Sequence, residues 1–248
     1  MNDYDPRKIS KFLQQHGIHL IGFASTDNIV KDFSPQKLLR NAKSVICYAV
    51  PIPRGVIYSE FNESLLYWRY CNMMYRSIDA ITNSLCLFLE NSGYISTPVY
   101  SCYPWKIIDR EFRGLLPLVS WAEKAGLGKL TKSGLLGHPK YGTRILLGGL
   151  ITSASLKPSK KIQGELCPID CFECIDACPV RAINKTGKVD HNLCIRNGNT
   201  NPLMTHVLKD KELRRTVDFE TIMNTVGIDD HSSYRCFECL RACPLNKK

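Results

Sequence analysis

Two patterns in the sequence predict a mixed α/β front domain followed by a ferredoxin-like tail. Helical and strand-like segments alternate from the start of the chain to about residue 158, as expected of an α/β domain. Beyond that point the composition turns polar, in SLKPSKKIQGE, and eight cysteines gather in what remains. The expected units are residues 1–158 and residues 159–248. At 248 residues and 44% hydrophobic content, the chain can build one sizeable core plus an appendage.

PRKISKFLQQHG has helical spacing and a glycine stop. IHLIGFAS reads as a buried strand. In SPQKLLRNA, Ser34 suits an N-cap and Pro35 the first position of a short helix. KSVICYAVPI is a second strand, closed by Pro51 and Pro53. Residues 60–91 carry a long helical pattern that stops at Gly93. YISTPVYS is a third strand or extended segment. LVSWAEKAGLG is a helix with a glycine exit. TRILLGGLITS is a very apolar strand that belongs in the middle of a sheet. A helical insert, LKDKELRRTVDFETIMNTVG, is expected between Cys194 and Cys236. The sequence has no repeat of solenoid period and no low-complexity tract.

Charge and termini narrow the class. The N-terminus has acidic residues and lacks an apolar signal-peptide core, and the longest apolar run is too short to span a bilayer, so a cytoplasmic chain with no membrane partner is expected. The formal charge is +10, of which +7 lies in residues 1–150. Eight thiolates holding two clusters would lower the total to about +6. No lysine or arginine block stands out, so the basicity reads as a solvated surface.

Twelve cysteines in a reducing compartment point to metal rather than disulfides. Cys47, Cys71, Cys86 and Cys102 are scattered; Cys47 and Cys86 sit in apolar runs and read as small core residues. The other eight are grouped. Cys171-x-x-Cys174-x-x-x-Cys178-Pro is repeated as Cys236-x-x-Cys239-x-x-x-Cys243-Pro. In two-cluster ferredoxins the last cysteine of each run ligates the other cluster. That rule assigns Cys167, Cys171, Cys174 and Cys243 to one 4Fe–4S cluster, and Cys194, Cys236, Cys239 and Cys178 to a second. The gap from Cys167 to Cys171 is one residue longer than in bacterial ferredoxins, a change that the chain entry can absorb. Two tetrahedral zinc sites are the alternative.

The segment AEKAGLGKLTKSGLLGHPKYGTRILLGGLITSASL, followed by the CxxCxxxCP run, resembles the epoxyqueuosine reductase group of iron–sulfur proteins. ISKFLQQHGIHLIGFAST and LLRNAKSVICYAVPIP are similar to the same group, in particular to its short members from anaerobes. The resemblance implies a corrinoid-binding front domain and a double-cluster tail, shared with the reductive dehalogenases. It thus implies cobalamin beside the two 4Fe–4S clusters, and a reductive reaction fed by single electrons.

The candidate site residues follow from that resemblance and from local pattern. Gly126, Gly128 and Gly134 would let the backbone approach a flat macrocycle; turns and a helix C-cap are the plainer reading. Lys132, Ser133, His138 and Tyr141 complete the cofactor-binding set. A base-off, His-on corrinoid motif, Asp-x-His-x-x-Gly, is absent; DDHSSY lacks the glycine. Where the family carries a proton-donating Asp ahead of Ala-Gly-Leu-Gly, this chain has Phe112, with Asp109 and Glu111 beside it. Asp109, Glu111 and Tyr103 are the candidate proton donors; Tyr100 and Cys102 stand near Tyr103 at a strand end. Arg110, Arg113 and Lys132 are candidates for an anionic group. The family's full-length tRNA enzymes carry a helical-repeat tail that has no counterpart before Lys248.

The expected function is an iron–sulfur oxidoreductase of the epoxyqueuosine reductase type. Its expected partners are a low-potential donor of ferredoxin or flavodoxin type and a small or nucleoside-like substrate, with tRNA as the alternative. Two rival readings are an electron-transfer protein that reduces a partner's cofactor, and a flavin-dependent reductase.

Overall fold

A computed structural model of the chain describes residues 4–27, 34–60, 63–101, 104–108, 111–198 and 234–247. Helix α1 (Pro6–Gln15) starts where the Asp5 carboxylate accepts the Arg7 amide at 3.0 Å. Strands β1 (Leu20–Ser25) and β2 (Ser44–Pro51) follow, then the short α2 (Arg54–Ile57) and the long α3 (Glu63–Glu90). The next elements are β3 (Ser96–Val99), the β4–β5 hairpin (Trp105–Ile108, Glu111–Gly114) and α4 (Leu118–Lys124). The front part closes with β6 (Lys129–Leu130), β7 (Leu136–Gly137) and β8 (Ile145–Thr152). Among the described residues, three short helices lie in the cysteine-rich part: α5 (Glu173–Asp176), α6 (His191–Gly198) and α7 (Glu238–Ala242).

The fold is mixed α/β, but its main sheet is wholly antiparallel, in the order β1-β2-β8-β3. The rule that gathers ligands at the carboxyl ends of parallel strands therefore does not apply to Tyr100, Cys102 and Tyr103. β8 is central, as its apolar run predicts, and Pro98 is tolerated because β3 is an edge strand. The segment expected as a short helix from Ser34 is only a single 3₁₀ turn, Pro35–Lys37. The chain must return at once to β2, where the Lys43 amide already bonds Thr152 O at 2.9 Å. Residues 199–233, which hold the expected helical insert, lie outside the described residues.

Side-chain alternation sends the two central strands into two cores. Ile46, Tyr48, Leu146 and Leu150 face α1 and α3, whereas Val45, Cys47, Ala49, Ile145 and Ile151 face α4 and Trp121. Each fully buried Ile or Leu contributes roughly 1.5–3 kcal/mol. Consecutive glycines in β8 let both helical layers close. A Cβ on Gly148 would stand 2.4 Å from Ile78 Cγ2 of α3, and one on Gly149 would stand 2.9 Å from Leu118 Cδ2 of α4.

The composition boundary near residue 158 does not divide the core. Phe237 and Leu240 are buried in the same cluster as Ile46 and Tyr48, and Phe237 stacks on Tyr67 of α3 at 4.7 Å. Arg241 pairs with Glu63 at 2.6 Å. Among the described residues, no helix is long and apolar enough to cross a membrane.

Candidate functional site

The two cysteine runs meet where α5 packs on α7. Burial, and then the charges of Cys167, Cys243 and Cys171, push the Cys174 thiol up to about 11. Its electrostatic neighbours are thus the other three members of the first expected quartet. Cys239 is pushed up to about 12, by burial first and then by Cys194, Cys236, Cys174 and Cys178. Cys194 is raised by burial, with Cys236 and Cys178 adding to the effect. Cys243 thus exchanges charge effects with cysteines of the first run, Cys178 acts on those of the second, and Cys239 also feels Cys174. Among the described residues, no three His, Cys, Asp or Glu side chains close on a common point as a single ion would need.

Local backbone aims donors at the sulfurs. After Cys178-Pro179 the chain passes through Arg181, whose φ of +50° is unusual for a side-chain-bearing residue. The turn brings the Ala182 amide to Cys178 Sγ at 3.2 Å. Burial raises the Cys243 thiol, opposed by hydrogen bonds from the Leu245 amide and the Thr143 hydroxyl. Charge on a sulfur is favoured by such donors.

The glycine-rich segment is the dock for this cysteine region. The Lys132 ammonium donates to the carbonyls of Pro168, Ile169 and Cys171 at 3.0, 2.5 and 2.8 Å, and lies 4.6 Å from the Phe172 ring centre. It ties down the loop with the long Cys167–Cys171 gap. Asn246, fully buried, accepts the Thr143 amide at 2.8 Å and donates to Thr143 Oγ1 at 3.0 Å and to Leu240 O at 2.5 Å.

The space beside the candidate glycines is filled by protein. Gly126 (φ +78°) ends α4, and a Cβ there would stand 2.2 Å from Lys160 O. A Cβ on Gly128 would stand 2.3 Å from Gly137 O, and one on Gly134 (φ +76°) 3.0 Å from Val189 Cγ2. Ser133 is buried and shares a 2.9 Å hydrogen bond with Thr131. His138 forms a backbone bridge with Gly142, and its Nδ1 accepts the Lys140 amide at 3.1 Å. Burial, then the Lys140 charge, lowers its pKa. Tyr141 lies 5.3 Å from the His138 ring, with Lys140 and Arg144 over its own ring. These residues hold the segment together and join it to the tail.

A cavity of about 150 Å³ lies between this segment, α4 and the sheet, lined in part by Tyr75, Ser101, Leu118, Leu136 and Leu147. Pockets for small molecules run to roughly 300–1,000 Å³. The cavity by itself is therefore too small for a corrinoid. Tyr103, Cys102, Asp109 and Arg110 lie outside the described residues; Glu111 and Arg113 lie on β5, where Glu111 pairs with Ile108. At the sheet edge Tyr100 donates to Asn83 at 2.6 Å, and the Asp79 carboxyl, raised to about 6 chiefly by burial, accepts the Ser101 amide.

No protein-family model matches the chain. A curated relative, epoxyqueuosine reductase from Bacillus subtilis, is 26% identical over 260 residues, covering 98% of this chain and 58% of its own length. Epoxyqueuosine reductase from Synechococcus sp. is 45% identical over 76 residues, covering 31% of this chain and 23% of its own. The chain resembles the epoxyqueuosine reductases. A solved epoxyqueuosine reductase bound to an epoxyqueuosine-modified tRNA-Tyr stem loop matches with a TM-score of 0.59 at 19% identity, over 97% of this chain and 66% of that one. The catabolic reductive dehalogenase NpRdhA matches with a TM-score of 0.64 at 14% identity, over all of this chain and 33% of that one. The chain thus spans little more than half of the Bacillus subtilis epoxyqueuosine reductase and a third of the dehalogenase.

Sequence reasoning missed Thr143, Asn246, Asp79 and Tyr234. The first two follow the glycine segment and the last cysteine, and only their contact gives them meaning. Asp79 lies mid-helix, where a charged residue reads as a solvated face. Tyr234 is separated from its partner Cys194 by forty residues.

Proposed function

We propose that the chain is an iron–sulfur reductase of the epoxyqueuosine reductase type, with two 4Fe–4S clusters held by the crossed cysteine quartets. The observation that carries this reading is the set of charges felt by Cys174 and Cys239: Cys174 feels the three cysteines that the cross-ligation rule assigns with it, and Cys239 feels its own three together with Cys174. Bound clusters supply one-electron transfer. The chain's own residues position them: Lys132 fixes the Cys167–Cys171 loop, and Thr143 and Leu245 bring donors to Cys243. The electrostatic influence of Cys174 on Cys239 brings the two quartets near each other, which suits electron passage from one to the other.

The destination of the electrons in this reading is a cofactor on the front domain, with cobalamin as the expected group and a nucleoside-like substrate. The epoxyqueuosine reductase crystallised with a modified tRNA stem loop makes tRNA the first substrate context to test. The described cavity of about 150 Å³ is smaller than cobalamin, so its lining alone does not fit that cofactor.

One observation favours a second reading. The glycine segment is packed against the cysteine region, which suits an electron-transfer protein that reduces a partner's cofactor. Anaerobic reconstitution with iron and sulfide, followed by cobalamin and stepwise reduction under EPR, separates the two. A base-off cobalt signal that disappears on reduction supports the reductase; cobalamin that stays free in solution supports electron transfer to a partner.

A further inference from the structure

We propose that Tyr234 raises the reduction potential of the second cluster through a hydrogen bond from its hydroxyl to the sulfur of Cys194. The inference rests on the two-cluster reading above. Tyr234 Oη lies against Cys194 Sγ and 3.1 Å from Cys194 O, so its single proton is within reach of both acceptors and is shared between them or given to the nearer sulfur. A sulfur bound to iron has no proton to give, so the phenol is the donor of that pair. The ring is fixed against the end of α6: a Cβ on Gly198 would stand 2.6 Å from Tyr234 Cζ, and the Arg235 amide bonds Gly198 O at 2.8 Å.

Reduction of the cluster adds one electron from the external low-potential donor and moves no proton. The added negative charge spreads onto the ligating sulfurs, and a donor aimed at one of them favours the reduced form. The first quartet has different neighbours, the Lys132 ammonium bonded to Cys171 O and the Thr143 hydroxyl at Cys243. The two clusters are therefore electrically unequal, and Tyr234 acts on the one that Cys194 holds.

The test is an anaerobic redox titration of the reconstituted full chain, followed by EPR, for the native protein and Tyr234→Phe. The expected result is that one of the two reduction waves moves to lower potential and the other stays. At fixed ambient potential, the reduced-to-oxidised ratio of the affected cluster should fall about tenfold, or about 59 mV for one electron. Two intact clusters with unmoved waves overturn the proposal. Should Tyr234→Phe lose the cluster, 3-fluorotyrosine at position 234, which keeps the ring and is a stronger donor, decides: one wave moved to higher potential supports the bond, and two unmoved waves overturn it. Failure of the two-cluster reading is distinct, since the native protein would then lack iron for two clusters.

Discussion

Lys132 ties three carbonyls of the Cys167–Cys171 loop to the front domain, and Lys132→Met removes the ammonium while keeping an apolar stem. A hydrogen bond to a charged group is worth about 1.5–3 kcal/mol. Pro168 and Ile169 are exposed, so water replaces much of what their carbonyls lose; Cys171 is half-buried and loses more. The contact with the exposed Phe172 ring adds roughly 0.5–1 kcal/mol. The expected loss is therefore about 2–3 kcal/mol, confined to opening of this loop. Iron release to a chelator, limited by that opening, should speed up by roughly 30- to 150-fold for the half of the iron held by the first quartet. The other half should leave at the native rate. Equal native rates for both halves would refute the staple, and equal acceleration of both would show that the lysine supports the whole tail.

Gly142→Ala combines a φ of +58° with a Cβ placed 2.2 Å from Asn246 Oδ1, and should cost more than about 2 kcal/mol in urea unfolding, with the tail released first in proteolysis. Phe237→Ala removes a buried ring from the common core and should cost about 3–4 kcal/mol; a loss under 1 kcal/mol would mean that the tail folds apart from that core. Asp79 binds its proton more tightly in the folded chain, so the penalty for its charge is absent below about pH 4, grows between pH 4 and about 6, and is complete above that. The raw shift corresponds to about 3 kcal/mol, and solvent screening at a half-buried site leaves about 1–2. Asp79→Asn should gain that much stability at pH 7.5 and nothing at pH 4, as read from thermal unfolding at the two values.

Much of the front domain was legible because local pattern and final environment agree. The helix of PRKISKFLQQHG carries its own cap and stop, and the apolar run around Gly148 and Gly149 is central because both of its faces are covered. Strand order and direction were not legible: they depend on which helix covers which face, and nothing in a strand's alternation states that. The cysteine quartets are proposed from sequence alone, since ligand spacing is a local constraint and the cross-ligation rule is topological. The glycine segment was harder. A glycine needed for close approach looks the same whether a macrocycle or another backbone approaches, and here Lys160 O and Gly137 O occupy that space. Lys132 looked like an anion site because its carbonyl partners lie more than thirty residues away in sequence.

The measurement that tests the central claim most directly is EPR with iron analysis on the reconstituted native chain beside Cys243→Ser and Cys174→Ser. The crossed arrangement predicts about eight irons in the native protein, and both variants disturbing the same cluster while the other stays intact. Zinc in place of iron, or Cys243→Ser disturbing the cluster that Cys239 holds, would contradict it.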